Sequence, residues 1–125
     1  DNIAWTMKNF NNYNNGWDYV KAGSKKNASI AEIITDSTMV DAITKVVVTV
    51  DKVTASSVNS FKLIVASDAN FENVIETVSL NIKAGENTFS CTTPTANCYY
   101  KIVIDCKKAS NGSVQISKLE YYTKK

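Results

Sequence analysis

Downstream of residue 40, apolar side chains recur at every second position. Val46, Val48 and Val50 alternate with Val47, Thr49 and Asp51; Phe61, Leu63 and Val65 with Lys62, Ile64 and Ala66; Val78, Leu80 and Ile82 with Thr77, Ser79 and Asn81. Phe89 and Cys91 keep the pattern, followed by Tyr100, Ile102 and Ile104 against Lys101, Val103 and Asp105, and then by Val114 and Ile116. A period of two sends neighbouring side chains to opposite faces of an extended chain, so each run predicts a half-buried strand. The phase slips between Ile116 and Leu119, which predicts a bulge near Ser117-Lys118. Breakers separate the runs at Ala84-Gly85-Glu86-Asn87, Pro94 to Asn97 and Ser110-Asn111-Gly112, the spacing of antiparallel connections.

Upstream, Ile3, Trp5 and Met7 alternate with Ala4, Thr6 and Lys8 and predict a first strand, and Trp17 to Ala22 and Ala28 to Ile34 predict two more. Asn9 to Gly16 reads as a polar loop whose Asn15-Gly16 pair suits a tight turn with positive φ. Asp41 to Thr44 suits a short turn, and Ala69 to Ile75 is the best helical candidate, at most one turn long. Many short strands with almost no helix predict a β-sandwich or barrel. Neither a repeat nor a linker interrupts residues 1–125, so one domain is expected.

Composition matters chiefly through its zeros. The 125 residues contain no histidine, and all 14 basic residues are lysine. Catalytic Ser-His or Cys-His pairs and histidine zinc sites are therefore excluded, as are the bidentate arginine forks that hold phosphates and base edges. The formal net charge of +2 comes from lysines and carboxylates interspersed along the chain, which argues against nucleic acid as a partner. The apolar run Val46 to Val50 is far too short for membrane insertion. Cys91, Cys98 and Cys106 cannot form a complete disulfide framework. Cys91 and Cys98 flank Thr92 to Asn97 and could meet across a hairpin, whereas Cys98 and Cys106 share the parity of Tyr100, Ile102 and Ile104 and read as small core hydrophobes. Acids such as Asp51, Asp68, Glu72, Glu76 and Asp105 fall at strand ends or at outward parity and read as solvated surface, so no enzyme activity is expected.

From Ala42 to Tyr122 the order of the pieces is informative: Ile43 to Val50, Phe61 to Asp68 followed by Phe71, Gly85 to Phe89, Tyr100 to Ile104, then Val114 to Tyr122. This order resembles the discoidin or galactose-binding-like domains, the fold of many bacterial carbohydrate-binding modules and cell-surface adhesion domains. The resemblance implies an all-β antiparallel sandwich, a jelly roll of about eight strands, with ligands held by loops at one end. Many members hold structural calcium partly through a carboxylate in the last strand; the matching position is Lys118, an ammonium that cannot ligate, so no cofactor is expected. Members often carry an arginine where Lys101 stands.

Sugars are held by flat apolar faces that stack on C–H groups and by amides and hydroxyls. Five of the twelve aromatic residues lie in the first nineteen positions, and Tyr13, Trp17 and Tyr19 stand among Asn11, Asn12, Asn14 and Asn15. Tyr13, Asn14, Trp17 and Tyr19 are accordingly candidate ligand contacts, with Trp5 and Phe10 assigned to the core. Tyr99 is a further candidate, on an outward face with Lys101 and Val103 and with Tyr122 as a neighbour. The chain begins at Asp1 without methionine, which fits a mature protein or an excised domain. The expectation is a non-catalytic, extracellular or surface-displayed bacterial module that binds polysaccharide or glycan and sits beside other domains of a larger protein. The alternative is a structural or adhesion module of a cell surface or virion that binds protein through a sheet face.

Overall fold

The alternating valines lie in a sandwich. The structure is a computed structural model that describes residues 5–8, 10–12, 20–22, 29–35, 37–54, 56, 58–106 and 114–123. Among these residues ten strands run β1 (Trp5–Lys8), β2 (Phe10–Asn12), β3 (Val20–Ala22), β4 (Ser29–Thr35), β5 (Ile43–Val53), β6 (Val58–Ala66), β7 (Val74–Leu80), β8 (Gly85–Ser90), β9 (Tyr99–Cys106) and β10 (Val114–Thr123). They form two five-stranded sheets, β1-β4-β9-β6-β7 and β2-β3-β10-β5-β8, with every pairing antiparallel. The chain changes sheet at every step between consecutive strands except β2–β3 and β6–β7, so the two sheets are interlocked by sequence order.

The core fills the space between the inner faces: Ile33 from β4, Val46, Val48 and Val50 from β5, Phe61, Leu63 and Val65 from β6, Phe89 from β8, and Tyr100, Ile102 and Ile104 from β9. Phe61 and Phe89 come from opposite sheets and meet edge to face, with ring centroids 4.9 Å apart. Cys98 and Cys106 are buried there as small apolar groups, and Cys91, Cys98 and Cys106 are all free thiols. Burial raises the pKa of all three; that of Cys91 is pushed up to about 11, with the Glu76 carboxylate adding to the effect.

The register between β5 and β10 shifts between Ile116 and Lys118, where the bulge was predicted. Ser117, the extra residue, donates its hydroxyl hydrogen bond to Asp51 Oδ1 at 2.6 Å. The insertion lets Ile116 and Leu119, three apart in sequence, both pack on the core. Two local expectations are corrected. Part of the predicted polar loop, Phe10–Asn12, is strand β2, because it pairs in register with β3. Ala69 to Ile75 holds no helical turn: residues 67–73 are a tight reversal, and Ile75 already belongs to β7.

Candidate functional site

Tyr13, Asn14, Trp17 and Tyr19 lie outside the described residues, as do the side chains of Trp5 and Phe10. Tyr99 is described. It opens β9, opposite Ala66 of β6, on the outer face of the first sheet. Lys101 and Val103 follow on the same face; Lys101 is flanked in register by Ile34 and Ile64, and Val103 by Glu32 and Lys62. Val103 is nevertheless only 8% exposed, so the polar part of this face begins at Lys101 and Tyr99. Tyr122 is not their neighbour. It belongs to β10, opposite Lys45, on the outer face of the other sheet, where the Lys45 ammonium lies 4.4 Å from its ring centroid. Periodicity fixes the face a residue occupies but says nothing about which sheet it joins.

The neighbour that Tyr99 has is Phe71, from the β6–β7 connection. Phe71 has φ = 57°, in the left-handed region that disfavours a bulky L-residue. The surrounding hydrogen bonds account for it. Asp68 accepts at its backbone oxygen from the Phe71 N–H at 3.1 Å, at Oδ2 from the Glu72 N–H at 3.1 Å and at Oδ1 from the Asn73 N–H at 2.8 Å, while the Ser67 N–H donates to the Asn73 carbonyl at 3.1 Å. The Asn73 bond leads in holding the Asp68 pKa below its ordinary value, against a partial desolvation. This reversal throws the Phe71 ring over the start of β9. Its centroid lies 6.4 Å from that of Tyr99 at an interplanar angle of 66°.

The same ring carries the Lys101 ammonium 4.5 Å from its centroid, and that ammonium lies 3.6 Å from Glu32 Oε2 on β4. Both charged side chains are partly buried, 19% and 24% exposed. Four side chains from β4, the β6–β7 connection and β9 therefore form one cluster: two rings at a steep angle, with one ammonium and one carboxylate beside them. Such a cluster supplies a stacking surface, hydrogen-bond donors and acceptors. Phe71 was missed as a site residue in the sequence reading, where it falls within Ala69 to Ile75, the candidate helical turn; the signal it carried was Asp68, three residues earlier, a side chain suited to cap a tight reversal.

Glu76 is no free surface acid: Oε2 accepts from the N–H and hydroxyl of Thr92, each at 2.7 Å, and Oε1 from the Thr93 N–H at 3.0 Å. Its partial burial opposes ionisation, but those bonds outweigh it and hold the pKa below its ordinary value. The buried Tyr100 hydroxyl makes no hydrogen bond of good geometry among the described residues; desolvation pushes its pKa up, and the Ile43 backbone offsets this only in part. Lys118 pairs with Glu120 at 3.5 Å, and among the described residues no group of three or more carboxylates or thiols is arranged to hold a metal ion.

The architecture is that of the carbohydrate-binding modules of β-sandwich type. Three solved structures carry that statement. Chitosan-binding module 1 of a chitosanase/glucanase from Paenibacillus sp. IK-5 matches with a TM-score of 0.65 and 14% identity over 97% of this chain and 95% of that one. A structure from work on the promiscuous specificity of carbohydrate-binding modules of the β-sandwich superfamily matches with a TM-score of 0.55 and 11% identity, over 96% of this chain and 56% of that one. CpGH89CBM32-6 of Clostridium perfringens matches with a TM-score of 0.52 and 9% identity over 96% and 94%. No protein-family model matches the chain, and no curated protein matches it in sequence.

Proposed function

We propose that this chain is a non-catalytic module that binds carbohydrate outside the cell, stacking sugar rings on aromatic side chains and meeting their hydroxyls with amides and charged groups. The observation that carries the reading is the placement of Tyr99 and Phe71 as partly exposed rings beside Lys101 and Glu32, on a sandwich shared with carbohydrate-binding modules. Aromatic rings at a protein surface, with polar groups converging on them, suit the amphipathic faces of a pyranose. Tyr13, Trp17, Tyr19 and Asn14 are proposed as further ligand contacts on the residue types alone. The Paenibacillus neighbour, named for binding chitosan, supports carbohydrate as the broad ligand class and not an amino sugar as the ligand of this chain.

The experiment is a glycan array of plant, microbial and mucin-type oligosaccharides probed with the wild-type chain, Tyr99→Ala and Trp17→Ala. Binding by the wild type that falls in either variant is the expected result. An array without signal, together with a discrete homo-oligomer by light scattering, would turn the assignment toward a protein-binding surface.

A further inference from the structure

The identity of the charged groups at the Tyr99 cluster restricts which sugars it can hold. Resting on the carbohydrate-binding reading above, we infer that Phe71, Tyr99, Lys101 and Glu32 form a sheet-face subsite for a neutral pyranose, which recognises two adjacent hydroxyls and rejects both uronic acids and amino sugars.

A phenylalanine at φ = 57° is disfavoured in any turn, yet this one is held by the Asp68 bonds and its ring is delivered to an outer sheet face rather than to the core. Backbone strain that persists because its surroundings enforce it is a feature of ligand sites. What it achieves here is a fixed ring beside Tyr99 and, on Lys101, a fixed direction for a side chain that is otherwise flexible.

The ion pair then sets the chemistry. Lys101 presents N–H donors and Glu32 presents acceptor oxygens, 3.6 Å apart beside the rings. A vicinal diol offers the complement: one oxygen that accepts from the ammonium and one neighbouring O–H that donates to the carboxylate. A uronate reaching Lys101 would bring its own carboxylate against Glu32, and a glucosamine ammonium reaching Glu32 would meet Lys101. Either charged sugar must break the pair to bind, whereas a neutral diol leaves it in place. Along the strands of this face the described charged side chains, Glu32, Lys62, Lys101 and Asp105, cancel one another; the reversal adds Asp68, whose carboxylate accepts from the Glu72 and Asn73 N–H groups, and the exposed Glu72.

The test is calorimetric titration of the wild-type chain with neutral gluco-, galacto-, manno- and xylo-oligosaccharides, an oligouronate and an oligoglucosamine, at low and high salt. Amide chemical-shift mapping on the labelled protein locates the site. The expected result is a neutral oligosaccharide bound about tenfold or more tighter than either charged one. Binding should be insensitive to salt, and shifts should centre on residues 67–73, Tyr99 and Lys101. Phe71→Gly, which removes the ring while suiting the backbone, should weaken that binding about tenfold while the variant keeps a cooperative melt. Glu32→Gln, which keeps an acceptor but unpairs Lys101, should raise oligouronate affinity and make it salt-dependent. Tightest binding of a charged oligosaccharide by the wild type overturns the inference. So does neutral binding that survives Phe71→Gly and maps instead to residues 10–22; the broader carbohydrate reading then stands. Failure of every class to bind removes that reading itself.

Discussion

Replacing Phe71 in two ways separates the strain of its backbone from the contacts of its ring. Phe71→Ala and Phe71→Gly both remove the approach of Lys101 at 4.5 Å and the edge contact with Tyr99 at 6.4 Å, so both variants lose the same ring contacts. These are worth about 0.5–1 kcal/mol for an exposed cation–π pair and about 0.5–1.5 kcal/mol for the aromatic pair. The two variants differ only in how the residue tolerates φ = 57°. An L-residue in the left-handed region costs roughly 1–2 kcal/mol, from which glycine's extra entropy loss of about 0.5–1 kcal/mol is subtracted. Phe71→Gly is therefore expected to be more stable than Phe71→Ala by about 1 kcal/mol, or about 3–5 °C in Tm for a domain of this size, with both at or below the wild type. Urea unfolding followed by circular dichroism measures the gap, and unchanged m-values confirm that the two variants are comparable. An alanine variant equal to or more stable than the glycine variant would refute the claim that Asp68 enforces the conformation. The clamp supplies an internal control, because in an Asp68→Ala background the reversal is released and the gap should close.

Two further predictions concern groups that hold the same fold. Asn87 is 2% exposed; it accepts from the Lys83 N–H at 3.1 Å and donates to the carbonyls of Lys83 at 2.8 Å, Gly85 at 3.2 Å and Val48 at 3.4 Å. Asn87→Ala should cost roughly 2–4 kcal/mol in urea unfolding, and a loss below about 1 kcal/mol would contradict its role. Glu76 has a folded-state pKa depressed below its ordinary 4.5, so its contribution is complete above 4.5 and disappears as pH falls through the folded value. Glu76→Gln should cost about 1–2 kcal/mol at neutral pH, and the difference from wild type should shrink in acid below pH 4.5; a difference that stays constant with pH would show that the carboxylate charge is not what binds Thr92 and Thr93.

Much of the sandwich was legible because a period of two is a local property. Val46, Val48 and Val50 report their own burial, and the misfit between Ile116 and Leu119 reported the bulge at Ser117 without any knowledge of the partner strand. What stayed illegible depends on contacts distant in sequence. Glu76 looked like a surface acid because its partners lie 16 and 17 residues away across a change of sheet. Tyr122 was assigned to the wrong neighbourhood because alternation gives the face and not the sheet. Phe71 sits in the stretch Ala69 to Ile75 that suggested a helical turn; its positive φ instead goes with the backbone N–H groups that the Asp68 carboxylate accepts from. The Asp-x-x-Phe-x-Asn spacing is a turn signal in hindsight, but the target of the ring is set by the register of β6 against β9.

The lack of arginine takes on a structural meaning at Lys101. A guanidinium brings its own geometry to a ligand, five donors in a rigid fork, whereas a lysine ammonium is a point charge on a flexible stem and takes its direction from whatever surrounds it. Here the surroundings are explicit: the Phe71 ring and the Glu32 carboxylate, contributed by a reversal and by a separate strand. Three elements thus perform the orienting that one arginine would do alone. In the proposed subsite the arrangement would set selectivity as well as geometry, because the carboxylate beside the ammonium also offsets its charge. An arginine at position 101 freed of Glu32 would favour carboxylates and sulfates; in the proposed subsite the lysine held by Glu32 would favour hydroxyls. On the proposed reading the strained phenylalanine and the ion pair are parts of one device: loss of the ring should weaken sugar binding, and loss of the pair should change which sugars bind, in each case while the chain still folds.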